Sequence, residues 1–410
     1  MPLVDIRPLR ASRDFRRLWT GQAVSFLGST MTTAAMPFQV FHQTGSSLAV
    51  GALGAVQLGP LLVGSLYGGA LADRIDKRGL LLIVTVSSAL TSAALACNAS
   101  LSHPQLWVVY LLAAFVSAIG AVTFPALRSL LQLLVEPELR PAAFGLQSIY
   151  FSFGAMVGPA LAGLIIAVFS IKATYTVDAV SYAFALLFFA RLAPSPPVAV
   201  HTGSSHASVI EGLKFLRGQP VIMSIFGIDL IAMIFGMPRA LFPQLAQNLG
   251  GGAGLYGLLV SSVAVGSFVA ATTSGLWTRS QRHGLVVIWA VGCWGAAVAL
   301  AGLAEQPVVV LVLFAFAGAA DTVSAVYRST IAADVTPDEL RGRVSGVEIA
   351  VYAGGPVLGD IEAGVVGGIA GVPFAIVSGG LACVAGALWF ARFVPEFAHY
   401  RRRGPATATT

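Results

Sequence analysis

Two long stretches without acid, lysine, arginine or histidine, Leu48–Ala72 and Leu80–Leu101, flank the short charged hinge Asp73-Arg74-Ile75-Asp76-Lys77-Arg78. Each stretch exceeds the ~20 apolar residues that cross a bilayer as a helix. The chain therefore enters a membrane, turns on two acids and three bases, and goes back. Only 10% of the 410 residues are charged and 56% are hydrophobic. Soluble domains carry roughly 25% charged residues, so this composition cannot cover a water-facing surface. Apolar runs of this length predict helical spans rather than barrel strands, an all-α polytopic membrane protein.

Apolar length and loop punctuation predict twelve spans, at 18–42, 47–72, 79–100, 105–134, 142–169, 173–192, 220–247, 254–277, 284–303, 307–333, 344–370 and 372–394. The first follows Arg7, Arg10, Arg13, Arg16 and Arg17 and is too long for a signal-peptide core, so it reads as a retained span. The expected organisation is a tail at 1–17, a six-helix bundle at 18–192, a linker at 193–219, a second six-helix bundle at 220–394 and a tail at 395–410. The linker holds Pro194, Pro196, Pro197, His201 and His206, with a short surface helix expected near 209–217.

Lysine and arginine give the orientation. With the amino terminus inside, one side receives Arg74, Lys77, Arg78, Arg140, Arg191, Lys214, Arg217, Arg279, Arg282, Arg341, Arg343, Arg392 and Arg401–Arg403, and the other essentially Lys172 alone. That asymmetry places both termini in the cytoplasm of a bacterial inner membrane protein, and it accounts for the net charge of +6 without invoking nucleic acid.

The halves repeat. Met36-Pro37-Phe38 is echoed by Met237-Pro238-Arg239, Arg74 by Arg279, and Arg128-Ser129 by Arg328-Ser329. Pro137-Glu138-Leu139-Arg140 is echoed by Asp338-Glu339-Leu340-Arg341, and Gly158-Pro159 by Gly355-Pro356. Offsets near 200 residues with an even number of spans per unit predict two pseudo-symmetric six-helix bundles in parallel orientation, with a substrate path between them.

Enzymatic chemistry finds no footing. The chain has no GxxxxGK[ST] to bind ATP phosphates and no GxSxG elbow. Cys97, Cys293 and Cys383 lie singly in apolar runs and the six histidines are scattered, so neither a disulfide framework, a metal site nor a cofactor is expected.

Ionisable groups within spans are costly in lipid and should face a cavity, a partner or water. They are Asp178, Asp229, Arg239, Asp321, Arg328, Glu348, Asp360 and Glu362. Asp321 and Arg328 are seven apart, on one helical face, which predicts a salt link. Asp360 and Glu362 are two apart and point to different faces. Asp229, Arg239, Asp321, Arg328, Asp360 and Glu362 are the candidates for proton coupling or cavity lining, with Asp229 first. Asp178 and Glu348 lie near expected span ends, where solvation is the default. Phe38, Gln39, Phe41, Phe124, Phe226, Phe235, Phe242, Gln244 and Tyr327 could line a cavity for an aromatic substrate, or simply fill the bundle.

The hinge resembles motif A of the major facilitator superfamily, with Gly69, Leu71, Asp73, Arg74, Lys77 and Arg78 at the expected spacings and Asp76 where glycine usually stands. Span five carries Gly145, Gly154, Gly158-Pro159, Ala162 and Gly163, similar to the antiporter motif C with alanine at one glycine. Ser12–Trp19, Thr44-Gly45-Ser46, Phe242-Pro243 and the repeated Pro-Glu/Asp-Leu-Arg loops extend the resemblance over nearly the whole chain, toward the enterobactin-exporter-like branch that also holds macrolide and multidrug proton antiporters. The resemblance implies the major facilitator fold, alternating access and export of a siderophore or other small hydrophobic compound in exchange for protons, by a monomer in the lipid bilayer. It makes Asp73 part of a cytoplasmic latch. A nutrient importer or facilitator is the alternative with the same fold, and a transport-inactive sensor or scaffold the alternative of another class. Two departures stand out. Ser29 follows Gly28 where many drug antiporters carry an acid, and Leu111–Gly120 lacks the base of motif B. Proton coupling would then rest on acids of the second half.

Overall fold

The computed structural model describes residues 4–74, 76–194, 218–337 and 340–401, and the side chains of all of these but 65–74, 124, 341–343, 345, 346, 349, 350 and 353. The described residues are almost entirely helical and contain no strand. The helices are α1 (Arg7–Ala11), α2 (Arg13–Thr44), α3 (Ser47–Arg74), α4 (Lys77–Ala99), α5 (Leu106–Leu134), α6 (Arg140–Val168) and α7 (Ile171–Phe189). They continue as α8 (Pro220–Phe235), α9 (Phe242–Asn248), α10 (Gly252–Thr272), α11 (Ser274–Trp277), α12 (His283–Leu303), α13 (Pro307–Val335), α14 (Arg341–Ala370), α15 (Val372–Phe393) and α16 (Pro395–Ala398).

Among the described residues, nine stretches are long and apolar enough to cross a membrane. The three other expected spans coincide with α2, α7 and α14, which carry polar freight: Arg13–Arg17 in α2, Lys172 and Asp178 in α7, and Glu348, Asp360 and Glu362 in α14. Helix ends are set by local chemistry. Ser12 accepts a hydrogen bond from the Phe15 amide to start α2, and Ser170 accepts one from Ala173 to start α7. Gly45, with φ of 64°, closes α2 in the left-handed conformation open to glycine.

Span seven departs from the continuous 220–247 helix expected. It stops at Phe235, passes through a 3-10 turn at Arg239–Leu241 and resumes at Phe242. Gly236 and Pro238 put two poor helix formers within three residues, and proline removes a backbone donor. The matching Pro37 of the first half sits inside unbroken α2, so the sequence echo is not a structural one. The helix expected at 209–217 lies outside the described residues.

Contacts divide the chain into two compact units, Met1–His201 with Phe242–Ser261, and Thr202–Leu241 with Ser262–Thr410. The first unit thus takes in α9 and the opening ten residues of α10, which the division at 193–219 had grouped with the second half. In the first unit α2 packs on α6 and α7, α3 on α5, and α4 on α7 and α5. Leu18, Leu81, Leu127, Leu130 and Phe189 form one core cluster, and Phe15, Leu131, Val135, Ala143 and Leu146 another. In the second unit α12 packs on α15 and α13, and α14 on α8 and α15. Large apolar side chains also stand outward, among them Trp107, Leu164, Phe169, Trp289 and Leu388. An aqueous surface would not tolerate so many, and lipid does.

Candidate functional site

Six ionisable side chains of the second unit fall into two groups. In the first, Arg328 Nη2 of α13 lies 2.7 Å from Asp229 Oδ1 of α8, and both side chains are only 3% exposed. Arg328 Nη1 donates to Ser324 Oγ at 2.9 Å, one turn back along α13. Asp321, two turns back, stands 3.9 Å from Arg328 Nη2, the link expected from the seven-residue spacing. Glu348 of α14 lies within electrostatic reach of Arg328 and Asp229. One guanidinium therefore faces three carboxyls, and its Nε has no hydrogen-bond partner among the described residues.

In the second group Arg239 Nη2 donates to Asp360 Oδ2 of α14 at 2.9 Å, with both side chains partly exposed. Asp229 and Arg239, on either side of the break in span seven, have different partners. Glu362 is partly buried and enters none of the ion pairs among the described residues.

The Gly69, Asp73 and Arg74 side chains of the hinge lie outside the described residues. The rest of the hinge is built on helix ends. Asp76, where motif A usually has glycine, is the N-cap of α4, its Oδ2 accepting from the Gly79 amide at 2.9 Å. Lys77 is buried, and Arg78 Nη2 donates to the Ala190 carbonyl at the C-cap of α7, at 2.6 Å. Arg17 donates to the adjacent Arg191 carbonyl at 2.7 Å, so two cations close the end of α7 where the helix dipole is negative. Arg78→Ala is expected to cost about 0.5–1 kcal/mol, the scale of a cation at a helix C-terminus. Thermal unfolding of the purified protein checks this, and a drop that vanishes at high salt would identify the electrostatic part.

In α6, Gly154 and Gly158 lie against α2 and Gly163 lies against α10. A Cβ at Gly154 would strike the Phe26 ring at 2.5 Å, and one at Gly158 would collide with Thr30 Oγ1. Thr30 Oγ1 itself donates to the Gly154 carbonyl at 3.1 Å. A Cβ at Gly163 would fall 2.5 Å from the Ala253 carbonyl oxygen and 2.9 Å from the Gly257 Cα. Gly257 in turn faces the Pro159 carbonyl, so the two helices meet backbone to backbone. The contact belongs to the first unit, as does the hydrogen bond from Tyr256 Oη to the Ala34 carbonyl at 2.7 Å. Gly145 is different: nothing lies within 4 Å of its added Cβ.

Four of the nine aromatic and amide residues considered for a cavity serve the helix packing instead. Gln39, Phe41, Phe242 and Tyr327 are buried, with Tyr175 Oη donating to Gln39 Oε1 at 2.7 Å. Phe124 lies outside the described side chains.

One acid lies deeper than its place in the sequence predicts. Asp178, expected near a solvated span end, is the eighth residue of α7 and only 1% exposed. Thr32 Oγ1 of α2 and Ser92 Oγ of α4 both donate to its Oδ2, at 2.6 and 2.7 Å. Ser181 Oγ lies 3.4 Å from Oδ1. The signal available was Gly28, one turn before Thr32, whose missing side chain leaves the space that Asp178 Oδ1 and Ser181 Oγ occupy.

The transmembrane secretion effector family matches residues 5–401, almost the whole chain. The chain belongs to this family. Among curated relatives, the chain is similar to the enterobactin exporter of Escherichia coli strain K12, with 26% identity over 98% of this chain and 97% of the relative. The exporter of Shigella boydii serotype 18 is 26% identical over 87% of the chain and 86% of its own length. Solved structures give the fold. A bacterial homologue of the human lysosomal transporter Spinster superposes with TM-score 0.73 at 14% identity, covering 97% of this chain and 99% of its own. The nucleoside transporter NupG gives 0.71 at 16% identity, covering 92% and 98%. The chain is therefore a multi-pass membrane transporter with the major facilitator fold, and its relatives are transporters, not enzymes.

Proposed function

We propose that the protein exports a siderophore or other small hydrophobic compound from the bacterial cytoplasm, by alternating access and in exchange for protons. The observation that carries export is the end-to-end similarity to the enterobactin exporter, supported by the motif C glycines of α6. Proton exchange is supported by the Asp229–Asp321–Glu348–Arg328 cluster, which sets three carboxyls against one guanidinium among packed helices. An excess of acids over cations inside a helical bundle is the composition expected of a proton relay. Arg239 and Asp360, joined at the break in span seven, are suited to opening and closing a path beside it. In the same reading the motif A residues Gly69, Asp73, Arg74, Lys77 and Arg78 gate the cytoplasmic side. Both termini are cytoplasmic, following the distribution of lysine and arginine, and the protein acts as a monomer. A facilitator without proton coupling is the second reading, favoured by Ser29 and by the absence of a base in Leu111–Gly120.

Inverted membrane vesicles, acidified inside and monitored with a pH-sensitive dye, test the proposal. Adding a triscatecholate siderophore, or separately a cationic dye drug, is expected to trigger proton loss that an Asp229→Asn variant lacks. Transport of either compound without proton movement would establish the facilitator instead.

A further inference from the structure

The proton relay proposed above lies in the second unit, and the first unit contains an acid it does not use. Asp178 is almost fully buried, and among the described residues no lysine, arginine or histidine pairs with it. An ionised carboxylate in that position would carry a desolvation cost of several kcal/mol that no counter-charge offsets. What surrounds it instead is hydroxyl: Thr32 of α2, Ser92 of α4 and Ser181 of its own helix. A hydroxyl, unlike a backbone amide N–H or a guanidinium, both donates and accepts, and rotation exchanges the two roles. With the carboxyl ionised, Thr32 and Ser92 donate to Oδ2. With the carboxyl protonated, the new O–H donates to one of these hydroxyl oxygens, whose own proton turns elsewhere. The cradle is satisfied in both states, as a structural link built on amide or guanidinium donors would not be.

The neighbourhood contains little else that titrates. On α7, Tyr182 lies within hydrogen-bonding reach of Ser29 and Ser88 and within electrostatic reach of Asp178, and Tyr175 is committed to Gln39. On α2 the charged groups are confined to Arg13–Arg17 and His42 near its ends, and on α4 to Lys77 and Arg78 at its start. On α6, Arg140 stands at the start, and Tyr150 packs on Trp19 and Phe26. Lys172 is exposed, six residues before Asp178.

We propose that Asp178, in its hydroxyl cradle between α2, α4 and α7, is a proton-binding site of the first unit. Protonation forms an O–H bond on one carboxylate oxygen, deprotonation returns the proton to water, and no other reactant is required. Because three helices supply the ligands of one carboxyl, any shift of α2 or α4 against α7 changes how well each protonation state is held. The site can therefore bias the packing of the unit. Its use in transport rests on the antiport reading above, whereas its titration does not.

Infrared difference spectroscopy on the full chain reconstituted in liposomes tests the site without a transport substrate. Stepping from acidic to alkaline buffer is expected to remove a carboxylic-acid C=O band, and Asp178→Asn is expected to lose that contribution. The pair Thr32→Val with Ser92→Ala keeps the carboxyl and removes both donors to Oδ2. It is expected to displace the pH at which the band disappears, and it carries the test if Asp178→Asn does not fold. A wild-type band retained in full by Asp178→Asn, or a titration unmoved in the hydroxyl pair, would overturn the proposal. So would loss of the band on adding sodium at constant pH, which would make the cradle a sodium site. If the band behaves as expected but vesicles transport the triscatecholate siderophore or the cationic dye without proton movement, the antiport reading fails and the site stands.

Discussion

Asp229→Ala is expected to be among the most damaging single substitutions in the second unit, lowering stability by about 3–5 kcal/mol, the usual cost of leaving one member of a buried ion pair behind. Arg328 would keep Ser324, the more distant Asp321 at 3.9 Å and the electrostatic reach of Glu348, while remaining buried at 3% exposure. A double replacement, Asp229→Leu with Arg328→Met, removes both charges and supplies apolar volume, so it is expected to recover most of the lost stability. Transport is not expected to return with it. Thermal unfolding of the purified protein, read beside vesicle transport, separates the two effects. If the double variant unfolds no later than the single, the pair is not the source of the loss.

The second large effect is a reversal of sign within one motif. Gly163→Ala puts a methyl 2.5 Å from the Ala253 carbonyl oxygen, against backbone that cannot rotate away. Forcing α6 and α10 apart is expected to cost about 1–3 kcal/mol, the range for overpacking. Gly145→Ala, in the same helix and the same motif, meets nothing within 4 Å. It is expected to be neutral or to stabilise by up to about 1 kcal/mol, since alanine is the better helix former. Melting temperatures of the two variants decide the matter. A similar loss at both positions would show that the glycines are needed for helix flexibility and not for close approach.

Much of the architecture was legible in the chain because lipid leaves few choices. The charge-free runs at Leu48–Ala72 and Leu80–Leu101 became α3 and α4, and the seven-residue spacing of Asp321 and Arg328 became an ion pair. The rest depended on contacts that no local pattern reports. Arg328 takes its tightest partner from Asp229, 99 positions earlier, and Arg239 takes Asp360, 121 positions later. Asp178 looked solvated because a span boundary was its only context, while its ligands lie 146 and 86 positions away. Asp76 read as a departure from motif A, yet in local terms it is an ordinary helix cap, visible once the start of α4 is known. The break after Phe235 was written in Gly236 and Pro238, but Pro37 in unbroken α2 shows that such residues permit a break without compelling one.

The composition of the first unit bears on how the molecule is made. Domains assemble as units, amino-terminal parts first, while the ribosome is still elongating. Here the first unit is not complete at His201, because Phe242–Ser261 belongs to it. The Ala34 carbonyl waits for Tyr256, Ser47 for Gln244, and Gly163 for Gly257. The helices up to α7 therefore wait with these surfaces uncovered until synthesis has passed Ser261, 60 residues beyond His201. Division of the gene within 195–217 would leave the piece that finishes the first unit on the other polypeptide.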